Sequence, residues 1–144
     1  MHDIVHGDIK DENILINIKT HEIKLIDFGA GTTFFEDKLY TSFSGTSVYA
    51  PPEWIRDRCY TASGLNVWSL GILLYDLLCG DIPFKTENNI IFAKVIFPPA
   101  LNPSNAVKNL IRGCLTVSTQ DRFNLEDVLK HPWLQNQVVM YKKY

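Results

Sequence analysis

The first apolar runs along the chain predict a β-hairpin within residues 1–29. Residues 14–16 read Ile-Leu-Ile and residues 23–26 read Ile-Lys-Leu-Ile, with a polar stretch over residues 17–21 between them. Two short β-branched runs joined by a polar connection are typical of a hairpin. We therefore expect a small antiparallel sheet close to the start of the chain.

A long apolar run in the middle of the chain predicts a buried helix. Residues 66–80 are apolar nearly all round, which is typical of a helix that is covered on all sides. Gly80 is placed to end this helix, and Pro83 follows it. Residues 86–97 indicate a shorter helix that runs into an extended stretch.

Two further helices are predicted towards the C-terminus by one-sided spacing and capping residues. With Ser104 as the N-cap, apolar residues recur at helical spacing on one face: Val107, Leu110, Ile111, Cys114 and Leu115. Asn124 can cap a last helix that reaches Lys130. Pro132 disfavours helix at His131, so that helix ends there.

One long stretch, residues 30–53, shows no sustained periodicity and is rich in Thr, Ser, Gly and aromatic residues. A loop of this length inside a compact domain is usually functional. The 144 residues contain no internal repeat, low-complexity segment or domain linker. Their number fits a single domain.

Charge and apolar patterning exclude two classes of partner. A net charge of −2 gives no support for the basic face that binds nucleic acid. The longest apolar stretch, residues 67–79, is interrupted by Ser69 and Asp76 and is too short to span a bilayer. The first residues lack the basic and then apolar pattern of a signal peptide. We expect neither a nucleic-acid nor a membrane partner.

The cysteines indicate a reducing compartment. Cys59, Cys79 and Cys114 are isolated and lack C-x-x-C spacing. This pattern favours free thiols over a zinc site or a disulfide framework. We expect the protein in the cytoplasm, with the nucleus as a second compartment.

Four polar side chains flank the predicted hairpin. Asp8, Lys10 and Asn13 lie on the loop that enters it, and Asp27 lies at its exit. The hairpin thereby brings three oxygen-bearing side chains and a lysine to one edge of a small sheet. Phosphoryl transfer with Mg2+ needs a carboxylate to accept a hydroxyl proton, hard oxygen ligands for the metal, and a cation beside the phosphate.

The motif H-x-D-x-K-x-x-N followed by D-F-G resembles the catalytic and metal-binding loops of eukaryotic protein kinases. The resemblance implies that Asp8 is the catalytic base and that Lys10 is the cation beside the phosphate of ATP. Asn13 and Asp27 are then the Mg2+ ligands, and they bind ATP together with Lys10. Thr46 matches the family threonine that bonds the catalytic Asp and Lys, which marks a serine/threonine kinase; an ordinary turn residue is the alternative.

Further positions match the family or depart from it. Residues 51–53, Pro-Pro-Glu, stand where the family has A-P-E, and Arg122 resembles the arginine that pairs with that glutamate, here Glu53. A surface arginine is the alternative for Arg122. Asn66 stands where an aspartate accepts hydrogen bonds from the catalytic loop, and an uncharged acceptor implies a looser loop. Gly7 stands where most members have arginine.

Finer matches point to the PIM serine/threonine kinases. The matching runs are D-I-K-D-E-N-I-L-I, I-K-L-I-D-F-G, Y-x-P-P-E-W-I-R, V-W-S-L-G-I-L-L-Y-D and C-G-D-I-P-F. PIM kinases favour basic peptides, so the resemblance implies ATP-dependent phosphorylation of Ser or Thr in basic protein substrates. Glu12 and Asp81 are then candidate docking points for substrate arginines, and a solvated acidic surface is the alternative.

The chain lines up in order with the second half of a kinase domain. The implied fold class is α+β: a mostly helical large lobe that carries a small β-hairpin region. Neither a G-x-G-x-x-G motif nor a V-A-I-K-type lysine precedes the catalytic loop, so we expect the small lobe to be absent. We expect a partial kinase domain over residues 1–135 and a C-terminal tail over residues 136–144, monomeric if a small lobe is present.

Two alternatives to an active kinase stay open. The first is a catalytically silent kinase lobe that binds substrates or partners. The second is an unstable product of a truncated gene copy. Whether a small lobe is encoded upstream discriminates between these alternatives and the enzyme.

Overall fold

The computed structural model describes residues 3–135, and the predicted tail over residues 136–144 lies outside them. The strands are β1 (Ile4–Val5), β2 (Ile14–Ile16), β3 (Ile23–Leu25), β4 (Thr32–Thr33), β5 (Leu39–Tyr40) and β6 (Tyr60–Thr61). The helices are α1 (Pro52–Asp57), α2 (Ala62–Cys79), α3 (Glu87–Phe92), α4 (Asn105–Cys114) and α5 (Leu125–Lys130). The predicted mixture of helices and small sheets is therefore confirmed.

The predicted hairpin is present as the antiparallel pair β2–β3. Ile14 lies opposite Leu25 and Ile16 lies opposite Ile23 in its register. The other two ladders join residues that are distant in sequence, because β1 pairs with β4 and β5 pairs with β6. These two ladders fasten parts of the 30–53 stretch to elements that precede and follow it.

Helix α2 forms the centre of the core. Trp68 and Ile72 on this helix are fully buried. Thr61 caps its start by accepting a hydrogen bond from the Gly64 N–H, and Gly80 ends it in the left-handed conformation at φ 75°. The end of the helix is as predicted, whereas its start lies four residues earlier than the predicted Asn66.

Among the helices of residues 3–135, α2 is long and apolar enough, by length and composition alone, to cross a membrane. The helix passes this test because it begins at Ala62 and reaches 18 residues, five more than the predicted apolar stretch of residues 67–79. Half of it is buried inside the fold, and a core helix passes the same test of length and composition.

The shorter helices follow their capping residues. Ser104 accepts a hydrogen bond from the Val107 N–H at the start of α4. Asn124 and Asp127 form a reciprocal capping box at the start of α5. Both starts agree with the prediction. Helix α1 was not predicted; it begins at Pro52, where the absent N–H costs nothing because the first turn of a helix leaves such groups unpaired.

Candidate active site

His6 holds the 6–13 loop between two elements. Its Nε2 lies 2.8 Å from the carbonyl oxygen of Ile26, which follows β3. Its Nδ1 accepts a hydrogen bond from the Asp8 N–H at 3.3 Å. These two contacts require a neutral imidazole with its proton on Nε2. The ring is buried and lies 4.6 Å from the ring of Phe28. Sequence reasoning gave His6 no role, although it stands in the H-x-D motif.

The carboxylate of Asp8 is the centre of the site. Its Oδ1 accepts a hydrogen bond from the Thr46 N–H at 2.7 Å, and its Oδ2 lies 3.2 Å from Asn13 Nδ2 and from Lys10 Nζ. Burial by itself raises the pKa of Asp8, but the bonds from Thr46 and the Lys10 ammonium outweigh it and lower this pKa. Asp8 is therefore a carboxylate at neutral pH.

Lys10 contacts Thr46 and Glu12 in addition to Asp8. Its Nζ donates to Thr46 Oγ1 at 2.8 Å and lies 3.6 Å from Glu12 Oε2. Burial by itself lowers the pKa of Lys10, but the charges of Asp8 and Glu12 outweigh it and raise this pKa. The predicted contacts of Thr46 with both Asp8 and Lys10 are present.

Asn13 and Asp27 are brought together by the start and the end of the hairpin. Asn13 is buried, and its Nδ2 donates to the Asp8 carbonyl oxygen at 2.8 Å, which leaves Oδ1 as the atom it can offer to a metal. The Ile26 N–H donates to the Asn13 carbonyl oxygen at 3.0 Å. Asp27 follows at once, exposed and in the left-handed conformation at φ 60°.

This pair has the donor chemistry of a magnesium site. Residues 3–135 contain no cluster of three or more His, Cys, Asp or Glu side chains suited to a metal ion. Mg2+ is often held by only one or two protein oxygens, with water and substrate phosphates completing the octahedron. An amide oxygen from Asn13 and a carboxylate from Asp27 fit that pattern.

Glu53 and Arg122 form a buried ion pair at some distance along the chain from the site. The guanidinium donates to both carboxylate oxygens, at 2.8 Å and 2.7 Å. It also donates to the carbonyl oxygens of Gly64 and Thr116. The predicted pairing of Arg122 with Glu53 is present, and it ties α1 to the start of α2.

Asn66 does not take the place predicted for it. It is half-buried, and within residues 3–135 no hydrogen bond joins its side chain to the 6–13 loop. The backbone groups of that loop bond elsewhere: the Asp8 N–H donates to His6, and the Asn13 N–H donates to the Lys10 carbonyl oxygen at 3.1 Å. Other hydrogen bonds join the loop to Ile26, after β3, and to Thr46.

Glu12 and Asp81 belong to a larger acidic surface, which comprises Asp11, Glu12, Asp76 and Asp81. Burial raises the pKa of Asp76, and the negative charges of Asp11, Asp81 and Glu12 raise it further. Asp81 also lies 2.5 Å from Lys85 Nζ on the exposed surface. Sequence reasoning missed Asp11 and Asp76, although Asp76 is a charged position inside an otherwise apolar helix.

Comparison with known proteins agrees with this geometry. Residues 1–134 match the protein kinase domain family. The chain is 52% identical over 136 residues to serine/threonine-protein kinase pim-2 of Danio rerio, covering 94% of this chain and 43% of that protein. It is 44% identical over 140 residues to serine/threonine-protein kinase prk-2 of Caenorhabditis elegans, covering 96% of this chain and 32% of that protein.

The chain therefore spans less than half the length of these two relatives. The resemblance to protein kinases is confirmed, and the similarity to pim-2 accords with the finer PIM-like runs. The chain belongs to the protein kinase family.

Proposed function

We propose that this chain carries the catalytic and metal-binding residues of a PIM-like serine/threonine protein kinase, which transfers the γ-phosphate of ATP to proteins. The observation that carries the proposal is the joint contact of Thr46 with Asp8 and Lys10. This contact brings Asp8, Lys10 and the 30–53 stretch together. Transfer of a phosphoryl group depends mainly on such positioning and on electrostatic stabilisation.

Each residue of the site has one part in this proposal. Asp8 orients the substrate hydroxyl and accepts its proton as the new oxygen–phosphorus bond forms and the bond to the leaving ADP oxygen breaks. Lys10 faces the charge on the transferred group, while Asn13 and Asp27 offer their oxygens to Mg2+. The metal, when bound, neutralises charge on the phosphate oxygens.

The acidic surface supports a preference for basic substrates. Burial raises the pKa of Asp76, and the charges of Asp11, Asp81 and Glu12 raise it further, so a substrate arginine placed among these carboxylates would relieve their repulsion. Glu12 and Asp81 are already close to Lys10 and Lys85, which partly offsets their charge. We place the arginine-binding positions around Asp76 and Asp11.

We further propose that these residues form the large lobe of the kinase and act with a small lobe that covers the adenine. The chain contains no glycine-rich phosphate loop of the G-x-G-x-x-G type. We place the protein in the cytoplasm or the nucleus and expect it to be monomeric when both lobes are present.

The test is a phosphoryl-transfer assay on the protein isolated from its native cells. The intact mass of that protein is compared with the 16.5 kDa of these residues. We expect Asp8→Asn to lower transfer to an arginine-rich Ser peptide about 100- to 10,000-fold. Asp57→Asn, an exposed carboxylate beside Arg56, is the matched control and should leave the rate unchanged. Replacing the peptide arginines by alanine should raise KM. Equal rates for wild type and Asp8→Asn would refute the proposal.

A catalytically silent binding lobe is the second candidate function. It is favoured by an apolar groove of about 600 Å3 beside the hairpin and α2. In that case Asp8→Asn would leave the cellular effect of the protein unchanged, and the isolated mass would equal that of this chain.

A further inference from the structure

Four aromatic side chains connect the 30–53 stretch to the start of the central helix. They form an aromatic cluster of Tyr40, Phe43, Trp54 and Tyr60. Tyr40 stacks on Tyr60 at 5.7 Å, and Phe43 and Trp54 meet Tyr60 edge-on, each at 5.9 Å. Aromatic pairs in these geometries stabilise packing beyond the area that they bury.

The Tyr40 hydroxyl bonds the Thr33 carbonyl oxygen, and Tyr60 is the member of this cluster whose hydroxyl bonds the residues that lead to Thr46. Its hydroxyl donates to the Ser42 carbonyl oxygen at 2.9 Å, and its ring is buried. Tyr60 lies in β6, two residues before α2 begins, and pairs with Tyr40 across the ladder. The hydroxyl therefore fixes the backbone of Ser42 relative to the most deeply buried helix of the fold.

The four residues that follow Ser42 lead directly to the catalytic group. Gly45 packs against the 6–13 loop so closely that a Cβ there would lie 2.5 Å from the Gly7 carbonyl oxygen. Thr46 then donates its N–H to Asp8 and accepts from Lys10. Ser42 is held at one end of this short run and Thr46 acts at the other.

Position 7 has no side chain that could hold the residues from Ser42 to Thr46 in place. Gly7 has φ 81°, and a Cβ at this position would lie 2.4 Å from the Ala30 carbonyl oxygen. The Ser42 end of this run is held instead from the α2 side of the fold, by Tyr60.

We propose that Tyr60 is a positioning residue for phosphoryl transfer, because its hydrogen bond to Ser42 sets the 42–46 run so that Thr46 reaches Asp8 and Lys10. The inference rests on the proposed function and deepens it. Tyr60 touches neither substrate nor metal ligands, and it acts through Thr46.

The test compares Tyr60→Phe with Tyr75→Phe in the full chain. Tyr75 is a matched control because its hydroxyl also donates to a backbone carbonyl, that of Ile96 at 2.6 Å, in a different part of the fold. We expect Tyr60→Phe to speed hydrogen exchange at the Thr46 amide about three- to tenfold, the range for one neutral hydrogen bond. We expect Tyr75→Phe to leave exchange at that amide unchanged.

The kinetics of phosphoryl transfer are measured on the same two variants of the protein isolated from its native cells. Tyr60→Phe should lower kcat by a similar factor with little change in KM for ATP, and the loss should be smaller in a Thr46→Ala background, where only the backbone N–H bond to Asp8 remains. Equal Thr46 exchange in both tyrosine variants would overturn the inference. If wild type transfers no phosphate, the proposed function fails, and the exchange measurement alone decides the positioning role.

Discussion

At the scale of single residues, Arg122 shows how much one buried side chain can organise. Its guanidinium bonds both oxygens of Glu53, reaches three backbone carbonyl groups and lies 5.0 Å above the ring of Trp68. A buried ion pair stabilises a fold only when its remaining donors are satisfied, because two charges lose their hydration. Here the carbonyl oxygens of Gly64 and Thr116 satisfy them.

Removal of the guanidinium should be costly for this reason. We expect Arg122→Ala to lower the free energy of unfolding by about 3–5 kcal/mol, since Glu53 would keep a buried and unpaired charge. Arg56→Ala removes an exposed arginine that lies 3.9 Å from Asp57, and it should cost about 0–1 kcal/mol. Denaturant unfolding of the two variants measures the difference. A cost below 1 kcal/mol for Arg122→Ala would show that the pair contributes little.

The sequence predicted the pairing of Arg122 with Glu53 and the contacts of Thr46. These residues match kinase motifs, and each motif implies the partner of its residue. The sequence did not predict the role of His6 or the carboxylate of Asp76. The function of His6 depends on Ile26, which is brought close only when the hairpin forms. The environment of Asp76 depends on charges at distant positions in the chain, which no local pattern encodes.

At the scale of elements, α2 and α4 pack directly against each other in the core. A Cβ on Gly71 would lie 2.7 Å from Cys114 Cβ and 2.8 Å from Leu115 Cδ2. Glycine at this position lets the backbone of α2 approach side chains at the end of α4. Ile72 and Ile111, both fully buried, complete the contact.

A methyl group at this position should therefore force the two helices apart. Overpacking costs about 1–3 kcal/mol, and the better helix propensity of alanine returns about 0.5–1 kcal/mol. We expect Gly71→Ala to lower the free energy of unfolding and the melting temperature. Ser63→Ala, at an exposed position of the same helix, is the control and should change stability little. Higher stability of Gly71→Ala would contradict the close approach.

Elements with strong local signals were predicted and those held by distant contacts were not. Helix α4 was predicted because Ser104, Val107 and Leu110 supply a cap and one apolar face. Helix α1 was missed because it begins in a Pro-Pro turn signal, whereas α3 and α5, which also have six residues, begin at capping side chains. Strands β4 and β5 have two residues each, and they exist through pairing with β1 and β6.

At the scale of the whole molecule, the fold leaves an apolar groove between the hairpin, α2, α4 and the residues after α5. Ile16, Ile23, Leu74, Leu77, Val128 and Trp133 are among the residues that line it. Leu77 is 69% exposed, and Ile16 and Ile23 are also exposed. Contiguous apolar surface of this kind favours association with other molecules.

One charge placed in the groove should reduce that association. We expect Leu77→Lys to weaken binding of an apolar fluorescent dye and to lower light scattering at a given concentration. Leu129→Lys is the matched control, because Leu129 is 67% exposed and lies outside the groove. Equal dye binding by the two variants would mean that the dye does not bind in the groove.

The burial of Cys114 beside Gly71 has a practical consequence for following the motions of this molecule. Burial raises the pKa of its thiol to about 12, so the reactive thiolate is almost absent while the core is closed. Cys59 and Cys79 are only partly covered. The rate at which an alkylating reagent labels Cys114 therefore measures how often α2 separates from α4. Cys59 is the reference thiol for solvent access on the same chain.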